Sequence, residues 1–382
     1  MRIGIVCYPT FGGSGVVATE LGLALAAEGH TVHFITYDRP VRLGNGQANV
    51  FYHEVRVSDY PLFDYQPYEL VLTSKLVDVV KHERLDLLHV HYAIPHASAA
   101  WMAQQILKAQ GIRIPFITTL HGTDITLVGK DPSFEPVITF AIEHSTAVTA
   151  VSESLRRETF EHFPVERDIR VIPNFIRAER YRTVADPALR KRFAPHGEKL
   201  LVHVSNFRPV KRVLDVLTVF MGVRKRLPAR LLLIGDGPDR HAAEMMCRAN
   251  GTCADVLFLG KMTDPEAVVA SSDLFVQASE TESFGLAALE AMASGVPVVS
   301  TDAGGTAEVV EAGVAGLLNE VGDTDAMVSN ALALLSDAGA LERFRKGASA
   351  SAARFDISKV LPRYEALYEE VVEQVKTDGV HQ

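Results

Sequence analysis

Leu274-Phe275-Val276-Gln277, then Thr281-Glu282-Ser283-Phe284-Gly285-Leu286 with Glu290 close behind, then Val296-Pro297-Val298-Val299-Ser300: this stretch reads as strand, loop, helix, strand. Two short apolar runs flank a segment expected to turn helical near Phe284, which is one βα unit leading into the next strand of a parallel sheet. Backbone N–H groups at a helix start have no partner within the helix and attract an anion, and the small Gly285 lets a diphosphate come close. Glu282 would stand just before that start and Glu290 about two turns into the helix. One carboxylate can reach a sugar, the other a ribose. An ordinary capped helix also fits, with Glu282 facing the helix dipole and Glu290 in solvent.

The same alternation runs outward over nearly the whole chain. Strand candidates in the first half are 2–7, 31–36, 50–55, 87–90, 116–119, 147–151 and 170–172, with helix candidates at 16–28, 68–82 and 97–110 among them. A second series begins at 200–204 and continues through 230–234, 256–259, 274–277, 296–300 and 316–318. So many strands require two sheets, and 382 residues exceed what one core supports. The expected domains are 1–173 and 174–355, parted at Ile172-Pro173-Asn174-Phe175, where Pro and Asn follow a strand and the polar segment 177–182 begins. Residues 356–382 form an apolar-striped helix able to pack back on either domain, with 377–382 frayed.

Composition narrows the function. A formal net charge of -9 argues against a general nucleic-acid binder, which would show a basic stripe, and leaves room for local basic patches. Cys7, Cys247 and Cys253 are too few and too irregularly spaced for a disulfide framework or a thiolate metal site. No apolar run reaches the ~18 residues of a membrane span, and no charged leader precedes Ile3-Gly4-Ile5-Val6, so a cytoplasmic protein without membrane partner is expected.

Ligands of parallel sheets sit beyond the carboxyl ends of the strands, so chemistry is sought in the loops that follow them. Thr10-Phe11-Gly12-Gly13-Ser14-Gly15 leads into a helix and suits an anion, although its glycines lack the G-x-G-x-x-G spacing of a dinucleotide site despite Asp38 at the end of the second strand. His121-Gly122-Thr123-Asp124 offers an imidazole for a sugar hydroxyl or for acid–base work, or simply a loop histidine bonded to its own backbone. Ser205-Asn206-Phe207-Arg208-Pro209-Val210-Lys211-Arg212 carries two cations suited to a diphosphate, or a solvated basic turn. His89, His91 and His96 lack a further ligand at recognisable spacing, and Asp323-Thr324-Asp325 precedes a helical run as a cap would; neither is taken as a metal site.

Together these motifs resemble the family-4 retaining glycosyltransferases of the GT-B fold, over essentially the whole chain. The resemblance implies two Rossmann-like domains with parallel sheets facing across a cleft, the first binding acceptor and the second a UDP-sugar. It implies that Arg208 and Lys211 bind the diphosphate, Glu290 the ribose, Glu282 the sugar hydroxyls and His121 the sugar near its 6-position. Phe284, Gly285 and Leu286 would present the helix start, Lys261-Met262 would read the base, and Asn206 and Gly15 would complete the donor site. Cys7 to Leu21, His91-Tyr92-Ala93-Ile94-Pro95-His96 and Leu120 to Asp124 are similar to the branch that moves N-acetylglucosamine from UDP-GlcNAc to the hydroxyl of L-malate in bacillithiol biosynthesis. A doubly negative acceptor suits Gly13, Ser14 and Gly15, with Tyr92 and Thr119 as hydroxyl donors.

The expected reaction closes the domains about Pro173, retains configuration by same-face attack, and needs neither metal nor cofactor. Rival expectations are another small or lipid acceptor, a sugar-nucleotide epimerase, a non-catalytic sugar-nucleotide binder and a nicotinamide-dependent oxidoreductase; a homo-oligomer is left open.

Overall fold

A computed structural model describes residues 1–10, 13–44, 46–57, 67–127, 131–181 and 186–380, the side chains of 127 and 378–380 excepted. Phe11 and Gly12 of the first glycine loop, Arg182 of the polar segment and the last two residues of the expected frayed end lie outside them.

The strands are β1 (Arg2–Val6), β2 (Thr31–Thr36), β3 (Val50–Glu54), β4 (Leu87–His91), β5 (Phe116–Leu120), β6 (Ala147–Ala150), β7 (Ile169–Val171), β8 (Lys199–Val204), β9 (Ala229–Ile234), β10 (Val256–Gly260), β11 (Leu274–Gln277), β12 (Val298–Thr301) and β13 (Gly316–Asn319). Each expected strand is present, shifted by at most two residues at its ends. One seven-stranded sheet runs β3-β2-β1-β4-β5-β6-β7 and one six-stranded sheet runs β10-β9-β8-β11-β12-β13. All their pairings are parallel. Ile3, Ile5 and Val6 of β1, and Leu200, Leu201 and Val202 of β8, are fully buried because helices cover both faces of each sheet.

The chain divides into two compact units, one of Met1–Phe175 with Ile357–Gln382 and one of Ile176–Asp356. The terminal helix Ile357–Val380 therefore belongs to the first unit, where Tyr364, Leu367, Tyr368 and Val371 are buried. Its Tyr368 hydroxyl lies 2.6 Å from Nδ1 of His89 on β4, and Arg170 pairs with Glu370 across the surface.

Both strand orders reverse direction once, between β1 and β4 in the first sheet and between β8 and β11 in the second. At such a switch the connections from neighbouring strands leave in opposite directions, and the carboxyl ends open a crevice. The loops after β1 and β4, and those after β8 and β11, thus become neighbours.

Candidate active site

In the second unit the adjacency of β8 and β11, with Leu274 opposite Leu201 and Phe275 opposite Val202, brings together loops some seventy residues apart. Lys211 Nζ lies 2.6 Å from Glu282 Oε1, an ion pair only partly open to solvent. Ser279 donates its hydroxyl to the same carboxylate oxygen at 2.8 Å, and Glu280 N–H donates to the Val210 carbonyl at 2.8 Å. Arg208, beside them at the start of the turn Pro209–Lys211, is exposed, as is Asn206.

A buried histidine orders this basic turn. His203 Nδ1 lies 2.9 Å from the Val276 carbonyl, which can only accept, so the proton is on Nδ1 and Nε2 accepts. The Ser205 hydroxyl, 2.8 Å from Nε2, is then the donor, and its oxygen accepts the Phe207 N–H at 3.2 Å. Phe207 is held at φ 42°, in the left-handed region, with its ring fully buried. Burial lowers the His203 pKa to about 4, so this direction of donation persists at neutral pH.

The helix after Glu282 starts later than expected. Leu286–Ala293 is helical, with Gly285 as its cap at φ 92°, a conformation glycine adopts without strain. Phe284 is not at the helix start: it is buried and packs edge-on against Phe355, so its side chain serves the core. Glu290 is consequently the fifth residue of the helix, about one turn in rather than two, and accepts from the Tyr181 hydroxyl at 2.7 Å. The loop is gripped from behind by Gly304-Gly305, where Gly305 N–H donates to the Glu282 carbonyl at 2.7 Å. A Cβ on Gly304 would lie 2.1 Å from that carbonyl oxygen, and one on Gly237 only 1.9 Å from the Asn206 carbonyl oxygen. Sequence reading passed over both glycine pairs, Gly304-Gly305 and Gly235/Gly237, whose only signal is a glycine cluster after a strand. Lys261 is exposed and Met262 half-buried just beyond β10, following Gly260 at φ 70°.

In the first unit, helix Gly13–Ala27 begins three residues earlier than read from its apolar pattern, so Gly13, Ser14 and Gly15 form its first turn. Gly15 has no room for a side chain, since a Cβ would lie 2.4 Å from the Tyr8 carbonyl oxygen. The pairing of β1 with β4 sets Tyr92 over this turn, and its hydroxyl donates to Ser14 Oγ at 2.6 Å.

His121 belongs to a buried column of imidazoles. His89 and His91 stack at 4.5 Å between centroids and His91 and His121 at 5.0 Å, with His91 Nδ1 2.7 Å from His121 Nε2. Burial, with repulsion from neighbouring imidazoles, lowers the pKa of His89 and His121 to about 3 each and that of His91 well below the ordinary value. Below the column Asp124 accepts from the Ala93 and Gly122 N–H groups; burial raises its pKa to about 6 against those bonds. Thr119 is a correction to expectation. Fully buried on β5, its hydroxyl is committed to His89 Nε2 and Thr149 Oγ1, each at 2.7 Å, and so supports the column instead of facing an acceptor. His89 is likewise satisfied at both nitrogens, which argues against it as a metal ligand.

His96, weighed in the sequence only as a metal ligand, and Tyr68, not singled out there, are two further polar groups of this unit. His96 donates from Nδ1 to the His91 carbonyl at 2.5 Å, leaving Nε2 a buried lone pair without a partner among the described residues; the Tyr68 hydroxyl is also buried and unpartnered. Their rings lie 6.3 Å apart, and Tyr8 sits 4.6 Å from His96 and 5.3 Å from Tyr92. Asp323, by contrast, accepts from Ala326 N–H at 2.9 Å as the N-cap of helix Thr324–Ser336, as its sequence position suggested.

Two family models together account for most of the chain: Glycosyltransferase Family 4 matches residues 11–180 and Glycosyl transferases group 1 matches 186–351. The chain is 45% identical over 382 residues to the N-acetyl-alpha-D-glucosaminyl L-malate synthase of Bacillus anthracis, covering all of both proteins. It is 28% identical to a D-inositol 3-phosphate glycosyltransferase of Thermobispora bispora over 95% of this chain and 91% of that one. Among solved structures, Anabaena HepE in complex with UDP and glucose superposes with a TM-score of 0.80 at 20% identity, over 97% of this chain and 99% of the other. Sucrose-phosphate synthase from Thermosynechococcus elongatus gives 0.79 at 20% identity, over 98% and 99%. With its two parallel sheets and a 45% identical relative matched end to end, the chain belongs to the family-4 glycosyltransferases of the GT-B fold.

Proposed function

We propose that this protein transfers N-acetylglucosamine from UDP-GlcNAc to the hydroxyl of L-malate with retention of configuration, the first step of bacillithiol biosynthesis, in the cytoplasm. The observation that carries this reading is the end-to-end 45% identity with the Bacillus anthracis malate synthase.

On this reading Arg208 and Lys211 hold the donor diphosphate together with the N–H groups of Gly285 and Leu286, while Glu290 takes the ribose and Glu282 the sugar hydroxyls. Lys261, Met262 and Asn206 surround the base and the nucleotide. Lys211 exchanges part of its contact with Glu282 for phosphate oxygens when donor binds. His121 meets the sugar near its 6-position, and Gly13, Ser14, Gly15 and Tyr92 receive the acceptor, whose carboxylate suits the first turn of helix Gly13–Ala27. Retention through a covalent intermediate requires a carboxylate nucleophile. Glu282, held by Lys211 and Ser279, and Glu290, held by Tyr181, are better placed as binding groups. The malate hydroxyl therefore attacks the face from which UDP departs and gives its proton to the leaving diphosphate, whose growing charge the two cations and the helix start stabilise. The transfer uses no metal.

The test is release of UDP from UDP-GlcNAc in the presence of L-malate, D-malate, succinate or no acceptor. Release with L-malate and none with succinate is expected. Equal release with succinate, which has no hydroxyl, overturns the acceptor; release with no acceptor at the L-malate rate overturns transfer itself.

A further inference from the structure

Away from these loops, His33 on β2, His53 on β3 and Glu83 at the end of helix Tyr68–Glu83 each place one ligand-type atom within 4.8 Å of the other two. The parallel register sets His33 opposite Phe51 and Ile35 opposite His53, so both imidazoles project from one face of the sheet, two positions apart. Their rings stack with centroids 5.2 Å apart, and His33 Nδ1 lies 2.9 Å from His53 Nε2. His33 is 1% exposed, and its other nitrogen, Nε2, is buried without a partner among the described residues. Burial lowers the pKa of His33 to about 4 and lowers that of His53, so both rings are neutral and offer lone pairs at neutral pH. The charged groups facing the pair are Glu83, Asp78, Lys75 and Arg2. Lys75 is engaged with Asp78 at 3.4 Å, and Arg2 donates to the backbone carbonyl of Glu83 at 2.6 Å. The Glu83 carboxylate takes part in no ion pair among the described residues.

We propose that His33, His53 and Glu83 form a site for a divalent transition ion of the zinc type, separate from the glycosyl-transfer loops. Two imidazole nitrogens and a carboxylate oxygen are a zinc ligand set, with a fourth position left for water. Ligand atoms of a tetrahedral zinc ion stand roughly 3.3 Å apart for bonds of about 2.0–2.1 Å. The His33–His53 contact opens by a few tenths of an ångström and Glu83 rotates inward. The proton now shared between the rings moves to the far nitrogen of whichever ring carried it, so binding releases none from the imidazoles. The ion would tie the edge strand β3 and the end of helix Tyr68–Glu83 to β2, a structural role that does not depend on which sugar or acceptor the protein uses.

The experiment uses the untagged full-length protein, stripped with a chelator. Zinc chloride is titrated by calorimetry and thermal unfolding is followed with and without zinc, with magnesium chloride in parallel. Wild type is expected to bind one zinc ion with a Kd of about 10 μM or tighter and to gain thermal stability from it, since a ligand of the native state alone must stabilise it. His53→Ala and Glu83→Gln are each expected to weaken binding at least about tenfold while leaving UDP release without zinc unchanged. Glu83→Gln, a half-buried isosteric change, keeps the comparison valid should His53→Ala fail to fold. Absence of saturable binding below about 100 μM, or equal binding by wild type and Glu83→Gln, overturns the site.

Discussion

At the scale of single residues, the loops after β8 and β11 are joined by the ion pair of Lys211 with Glu282 at 2.6 Å. Removing Lys211 takes away a cation expected at the departing diphosphate and leaves Glu282 half-buried with the Ser279 hydroxyl. Lys211→Ala is expected to lower kcat/KM for UDP-GlcNAc by about 10²-fold or more, on the scale of losing a charge-stabilising group. Turnover within about threefold of wild type, measured by UDP release, would remove Lys211 from the site. The identities of Arg208, Lys211, Glu282, Glu290, Ser14, Tyr92 and His121 as candidates were all legible in the sequence, because charged or hydroxyl side chains in loops after strands have a short list of uses. Thr119 was misplaced for a definite reason. Strand periodicity marks alternate faces, but both faces of a parallel sheet are covered, so its hydroxyl met His89 and Thr149 instead of solvent.

At the scale of elements, the glycine pair Gly304-Gly305 sets the height of the Glu282 loop, and the cap Gly285 sets where the helix begins. Gly304 is at φ 55°, and any Cβ there meets the Glu282 carbonyl oxygen at 2.1 Å, a backbone atom that cannot swing aside. Gly304→Ala should cost about 1–2 kcal/mol of stability from the left-handed backbone alone and displace the loop besides. The measurable outcome is a lowered urea midpoint together with a raised KM for UDP-GlcNAc; a raised KM for malate alone would contradict this placement. The apolar runs gave strand positions to within two residues, since a run buried on both faces is unmistakable once turn residues bound it. The two glycine-led helix starts were read less well, by three residues at Gly13 and two at Leu286, because capping glycines and polar first-turn residues carry no apolar period, whereas the starts at Tyr68 and Ser98 were read to within one residue.

For the molecule as a whole, the burial of so many imidazoles has a consequence for acid stability. The ordinary histidine pKa is 6.5; folded His89 and His121 sit at about 3, His96 and His203 at about 4, and His91 is also lowered. Between those values the unfolded chain binds protons that the folded chain refuses, so stability is fullest above 6.5 and falls as pH drops toward 4. Asp124 acts oppositely, its folded pKa of about 6 lying above the ordinary 3.8, but with His33 and His53 also lowered it is one group against seven. The urea midpoint is therefore expected to fall from about pH 7 to about pH 5, and an unchanged or rising midpoint would contradict it. The terminal helix extends the argument, because Tyr368 completes the hydrogen bonding of His89 from a position 279 residues away. By itself the sequence determined two parallel α/β sheets and which loops after strands hold charged and hydroxyl candidates, since these follow from local periodicity and residue type. Only the tertiary structure decided which loops meet, which unit receives the terminal helix, and which hydroxyls are consumed inside. Those outcomes depend on strand order, and the adjacency of β1 with β4 and of β8 with β11 joins segments that no local pattern connects.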